Sequence, residues 1–286
     1  MKPIFGIDVT QNKHNEELNG LNFVVAEATA EQTDALLEQH EGLEETIEKS
    51  KLPLWLRILK AICGYLALIL GLGMIKSLPE VGLAHIFQRA TIFVLCFFFF
   101  LIAWIVLKFL SLKKETAVYK ERNAEGQIEE YQQDLQALYE SLGAPSNADT
   151  VDVLSFLYKV KDGEIKPTAH MMQTTPYVNF EAKLFATEDA LCLVDTQHCF
   201  SFPKAELRAI RKVDERIALL SWNKGDEEPK KGRFKPYKLT VNQYGNVFVK
   251  SYYIMELVHD GEEWGIYFPC YEKDAFEKAS GLTAEE

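Results

Sequence analysis

The chain has 286 residues, with 31 Lys/Arg against 42 Asp/Glu and a formal charge of -11. That acidic balance argues against a general nucleic-acid binder. Five cysteines, none in C-x-x-C spacing, argue against a zinc or thiol-redox centre and for reduced thiols in the cytosol.

Taken in chain order, NFVVAEA reads as a short strand, with no partner evident nearby. Thr29 and Gln32 then have capping-box spacing, and Leu36, Leu43 and Ile47 give one apolar seam on the helix they open. Residues 54–75 form an apolar run of 22 residues, about 33 Å as a helix, enough to cross a hydrocarbon core. Arg57 and Lys60 lie in its first two turns, where their stems reach headgroups. Residues 90–107 form a second run without a charge.

The charge layout fits two spans. Residues 51–114 carry 8 Lys/Arg against one Asp/Glu, whereas residues 1–50 carry 3 against 11. Lys49, Lys51, Arg57 and Lys60 flank the first span, and Lys108, Lys113, Lys114, Lys120 and Arg122 follow the second. The connection 76–89 holds only Lys76 and Arg89. The bias predicts a multi-pass protein of the inner (cytoplasmic) membrane with both termini in the cytosol and 76–89 outside. Cys63, Ala67 and Gly71 form a stripe of small residues suited to close helix packing, over which Phe97 to Phe100 can lie. No Asp, Glu or His falls mid-span, so the hairpin reads as an anchor rather than an ion path.

After the second span, Ile128, Tyr131, Leu135, Leu138 and Leu142 recur at alternating three and four residues, a coiled-coil seam ended by Gly143 and Pro145. It can pair antiparallel with the helix before the hairpin, or in parallel with a second protomer. As one upright helix this stem holds the C-terminal domain about 45 Å from the bilayer, unless it bends at Gly126.

From residue 144 the pattern becomes short β-type runs: VDVLSFLYKV, YVNFEAKLFAT, ALCLVD, HCFSF, LRAIRKV, RIALLSW, YKLTV, NVFVK, YYIMELVHD and EWGIYF. Asp260-Gly261 marks a hairpin turn, and YEKDAFEKASGL a closing helix with Tyr271, Ala275 and Phe276 inward. Tyr252 and Tyr253 are expected to point one inward and one outward. The fold class expected is an α+β membrane protein: a two-helix transmembrane hairpin, a helical stem and a C-terminal antiparallel β barrel or sandwich closed by the last helix. The expected segments are 1–52, a cytosolic strand and helix; 53–112, the hairpin; 113–143, the stem; and 144–286, the β domain.

The strand order, the run FSFPKAELRAIRKV with alternating Leu207, Ile210 and Val213, and the terminal helix resemble pleckstrin-homology-like domains of the bacterial and GRAM type. The whole chain, through EETIEKSKLPL and EEWGIYFPCYE, also resembles a group of uncharacterised two-pass membrane proteins of Firmicutes. The pleckstrin-like resemblance implies lipid or protein binding and only seldom catalysis.

No nucleophile with a base, carboxylate pair, metal cluster or phosphate loop assembles from local spacing, so no catalytic residue, metal or cofactor is expected. His198 and Cys199 face opposite ways on a strand, and Cys192, His259 and Cys270 are scattered. What stands out is the stretch 204–238, with 11 Lys/Arg against 6 Asp/Glu and with Trp222, Phe234 and Tyr237 among them. Arg211, Lys212, Lys230, Lys231, Arg233 and Lys235 are its candidate anion-binding residues. Three readings arise: a membrane-anchored binding or scaffold module with a protein partner, an anionic-lipid-headgroup module using 204–238, or a structural protein that self-associates. Nucleic acid is not an expected partner. Within 204–238, SWNKGDEEPKKGRFKPYK, residues 221–238, is read first as a long inter-strand loop.

Overall fold

The computed structural model describes residues 1–10, 13–14, 22–81, 91–168, 177–225, 227–242 and 245–285. Most of the expected external connection 76–89 lies outside the described residues. The chain divides into two compact units, residues 34–133 and residues 1–33 with 134–286.

The first of these is helical. α1 (Ala30–Ser50) opens on the expected capping box: Thr29 N–H donates to Gln32 Oε1 at 2.9 Å and Gln32 N–H to Thr29 Oγ1 at 3.3 Å. α2 (Leu54–Val81) and α3 (Thr91–Glu121) pack on each other and contain two segments long and apolar enough to span a membrane, Leu54–Lys76 and Thr91–Glu121. Only 11% of each candidate span is buried, which separates them from the core helices of a soluble protein. Their apolar surface points outward, as a bilayer requires.

Close approach of α2 and α3 depends on the small side chains. Cys63 and Ala67 are buried, and a Cβ on Gly71 would lie 3.1 Å from the Phe97 ring. The same logic extends to Gly64, where a Cβ would lie 2.9 Å from the Trp104 indole. Gly64→Leu is therefore expected to lower hairpin stability by about 1–3 kcal/mol, read as an earlier midpoint in detergent-induced unfolding. Gly73→Leu, at a site with no atom within 4 Å, is the neutral control.

The stem is not one helix. It breaks between α3 and α4 (Ala124–Ser141), with Asn123 in the left-handed region at φ 50°. The break falls three residues before the expected Gly126. That glycine has a related role, since a Cβ there would run into the Asn123 carboxamide. Within this unit α1 lies antiparallel to the end of α3 and the start of α4. Lys114 Nζ donates to Lys51 O at 2.5 Å, Thr46 lies 3.4 Å from Gln127, and His40 rests on Tyr131. The seam differs from the apolar pattern, because Ile47 and Ile128 are exposed while Thr46 and Ser50 are buried.

The other unit is a mixed β structure drawn from both ends of the chain. β1 (Lys2–Pro3), β2 (Gly6–Asp8), β3 (Lys13–His14) and β4 (Val24–Glu27) precede the helices. After them come β5 (Asp149–Lys161), β6 (Glu164–Pro167), β7 (Tyr177–Ala186), β8 (Ala190–Val194), β9 (His198–Pro203) and β10 (Leu207–Val213). β11 (Ile217–Leu219), β12 (Thr240–Val241) and β13 (Val247–Val249) form a separate small sheet. β14 (Tyr252–His259), β15 (Glu262–Pro269), α5 (Lys273–Ser280) and β16 (Ala284–Glu285) complete the chain.

The large sheet runs β16-β10-β14-β15-β5-β7-β8-β9-β4, with β1, β2, β3 and β6 paired off this path. It is open, which corrects the expected barrel. The strands whose pairing would close it are already occupied on both sides: β9 by β8 and β4, β10 by β14 and β16. Nor is it purely antiparallel, because β1 joins β15, and β2 joins β5, in parallel. The N-terminal residues therefore belong to the same β unit as residues 149–285, and NFVVAEA docks on the edge of β9.

Both faces of the sheet are covered. Val151 and Val153 of β5, Met255 and Leu257 of β14, and Trp264 of β15 share one core with Ile4, Phe5, Phe23 and Phe276 of α5. Leu154 and Phe156, one step out of phase, share a second core with Tyr252, Tyr267 and residues of the small sheet. Tyr252 and Tyr253 are thus both buried, each in a different core, rather than one being solvated.

Candidate functional site

The insertion between β10 and β14 carries most of the 204–238 stretch, and the structure gives much of it an internal role. Phe234 is buried, lying edge-on to Trp222 at 4.5 Å and to Tyr271 at 5.3 Å. Tyr237 meets the same Tyr271 ring at 6.0 Å. The aromatic side chains interleaved with the cations therefore pin the insertion to the second face of the sheet.

Beneath them is a buried polar cluster that local sequence spacing does not reveal. Lys224, with 4% of its side chain exposed, forms an ion pair with Glu272 and donates to Thr150 O at 3.0 Å. Glu272 also accepts the Asp152 N–H at 2.8 Å, and the Tyr271 hydroxyl donates to Asp152 Oδ2 at 2.5 Å. Asn179 exchanges two 3.0 Å bonds with the Ser221 backbone. The alternation of β5 places Asp152 on the same face as Leu154, so a carboxylate enters an interior that Lys224 must neutralise.

Burial pushes the Asp152, Glu181 and Glu272 carboxyls above their ordinary range, with Lys224 opposing the shift in each. Asp152 Oδ1 has no hydrogen-bond partner among the described residues. A folded-state pKa raised above the unfolded value adds stability that is fully present below the unfolded pKa and lost as pH rises through the folded one. The melting temperature of this unit is therefore expected to rise as the pH falls from neutrality toward the ordinary carboxylate range. Asp152→Asn should flatten that rise, as followed by Trp fluorescence in a pH series.

The six candidate anion-binding residues separate into two groups. Arg211 pairs with Glu256 across β10 and β14, Lys231 with Glu228 at 2.8 Å, and Arg233 with Glu227 at 3.2 Å. Lys212, Lys230 and Lys235 are exposed and make no ion pair among the described residues. Half of the cations are thus neutralised by this chain's own carboxylates.

The cysteines do not form a centre. Cys192 and Cys199 are buried on neighbouring strands, and burial raises both thiols, that of Cys199 to about 11. No group of three or more His, Cys, Asp or Glu with metal-binding geometry occurs among the described residues.

A groove of about 860 Å³ opens beside the second core among the described residues. Phe156, Tyr177, Tyr252 and Tyr267 line it, and Glu164, Glu215, Glu262 and Glu263 stand around them. The Tyr177 and Tyr252 hydroxyls both donate to Glu215 Oε2 at 3.1 Å, fixing the orientation of that carboxylate. The sequence contains this site as residues scattered between positions 156 and 267, so only strand alternation combined with the pairing order could have located it.

No family model matches the chain, and neither the curated proteins nor the solved structures contain a match to it.

Proposed function

We propose that this chain is a membrane-anchored binding module without catalytic activity, its β unit displayed in the cytosol to a protein partner. The observation that carries the reading is a single β unit built from both sides of a two-helix apolar hairpin, with an open, aromatic-lined groove on one face. The Lys/Arg-rich flanks of the hairpin support the cytosolic orientation. A pleckstrin-like arrangement is supported by the antiparallel order β5-β7-β8-β9, the antiparallel set β10-β14-β15 and the helix α5 inserting Phe276 into the core.

The anionic-lipid reading retains one supporting observation, the three cations Lys212, Lys230 and Lys235 that lack an ion-pair partner among the described residues. Two photocrosslinkers in intact membranes separate the readings, one replacing Val160 at the groove and one replacing Lys235. A protein adduct from position 160 that is larger than a self-adduct is the expected result. Lipid adducts from position 235 without any protein adduct at 160 would replace this reading with the lipid one. Adducts only between copies would replace it with self-association.

A further inference from the structure

We infer that the stem end of the helical hairpin holds one phospholipid of net negative charge, its phosphate seated between Lys60 of α2 and Lys108 of α3. The inference rests on the membrane-spanning reading of the two helices and is independent of the β unit. A Cβ on Gly64 would lie 2.9 Å from the Trp104 indole, and one on Gly71 would lie 3.1 Å from the Phe97 ring. From the first contact to the second, α2 advances by the same seven residues that α3 recedes, so the two helices run antiparallel in step. Continued one turn outward, that register sets Lys60 opposite Lys108, on the side of the pair where Trp104 covers Gly64.

Both lysines fall inside the candidate spans rather than beyond them. Lys60 lies about 9 Å along its helix from Leu54 and Lys108 about 26 Å from Thr91, just inside a hydrocarbon layer about 30 Å thick. Lys60 is half-buried. The Lys108 ammonium does not reach outward: it lies 5.3 Å over the Trp104 ring, one turn toward the interior of the span. Neither lysine forms an ion pair among the described residues, and Glu45 and Glu48 on α1 are taken by Lys49 and Lys51. Two cations at one depth repel each other where the medium screens little, and an anion between them reverses the sign of that energy. The anion that a bilayer offers at this depth is a lipid phosphate. A choline headgroup brings its own cation, so a headgroup of net negative charge is preferred.

The test places the full chain in phosphatidylcholine nanodiscs and raises the share of phosphatidylglycerol brominated on its acyl chain, which quenches nearby indoles. Trp55→Phe makes Trp104 the sole tryptophan of the spans. Half-maximal quenching is expected at about a tenfold lower share of the brominated anionic lipid than of brominated phosphatidylcholine. Lys60→Gln with Lys108→Gln should abolish that preference, while Lys113→Gln with Lys120→Gln, cations nearer the stem, leaves it. Removing charge from a span eases insertion, so the first double variant still enters the discs. Equal quenching by the two lipids, equal loss in both double variants, or abolition of the preference by free glycerol phosphate would each overturn the inference. A chain that fails to enter the discs removes the spanning reading and the inference together. One that enters and shows no preference removes the lipid site alone.

Discussion

A chain cut to residues 144–286 is expected not to fold cooperatively, although it contains most of the strands. Ile4, Phe5 and Phe23 are at most 5% exposed and lie in the first core. Phe5 stands edge-on to Phe180 at 5.3 Å and to Phe200 at 5.0 Å, and Phe23 lies 5.0 Å from Phe202. Emptying one such site costs about 3–5 kcal/mol when the neighbours cannot collapse into it. Three together approach the whole stability of a domain, about 5–15 kcal/mol. The truncation also exposes the edge of β9 that β4 covers, a template for aggregation.

Restoring the missing strands should restore folding. Gln32 Nε2 lies 3.2 Å from Ser141 Oγ, so the ends created by removing the helical unit are close. A chain joining residue 33 to residue 134 through about ten Gly/Ser residues should therefore give a soluble protein with a single sharp unfolding transition. Circular dichroism melts of the two chains decide the matter. A sharp transition in 144–286 alone, at the temperature of the fused chain, would contradict this account.

Lys224→Met is expected to destabilise the β unit by about 3–5 kcal/mol. The substitution removes the only cation paired with Glu272 among the described residues, and leaves that carboxylate beside Asp152 in a site where both are almost wholly excluded from water. The insertion should loosen as well, because Trp222 lies two residues away and donates from its indole to Glu227 O at 2.9 Å. Pairing the change with Glu272→Gln should recover part of the loss, since the uncompensated charge is then gone. Denaturant unfolding of the two single variants and the double variant measures the coupling. A strictly additive cycle would show that the two groups do not act as a pair.

The sequence and the structure agree most closely where a local rule operates. The two apolar runs, the Thr29–Gln32 cap, the Asp260-Gly261 turn and, apart from the short β6, the order of strands from β5 to β15 follow from periodicity or turn chemistry. Disagreement appears where tertiary pairing decides. β1 and β2 hold two and three residues, too few to display any period, and they are strands only because β15 and β5 offer them an edge. The same applies to 204–238. Its charge count suggested a surface for anions, but only the fold shows that Lys224 points inward while Lys231 and Arg233 are met by Glu228 and Glu227. Ile47 and Ile128 fit an apolar seam by spacing, yet the actual contact turns about one residue away, onto Thr46 and Gln127.

The parallel pairing of Lys2 with Trp264 has a consequence for biosynthesis. The two strands lie on opposite sides of the hairpin in the sequence, so if the two candidate spans enter a bilayer the strands can meet only when both cross it and return the chain to the side it left. A copy that inserts one helix leaves β1, β2 and β4 across the membrane from β15, β5 and β9. Its Ile4, Phe5 and Phe23 then stay unsheltered, in reach of the proteases and chaperones that dispose of incomplete chains. For a hairpin that spans a bilayer as proposed, completion of the sheet would act as a proofreading step for membrane topology.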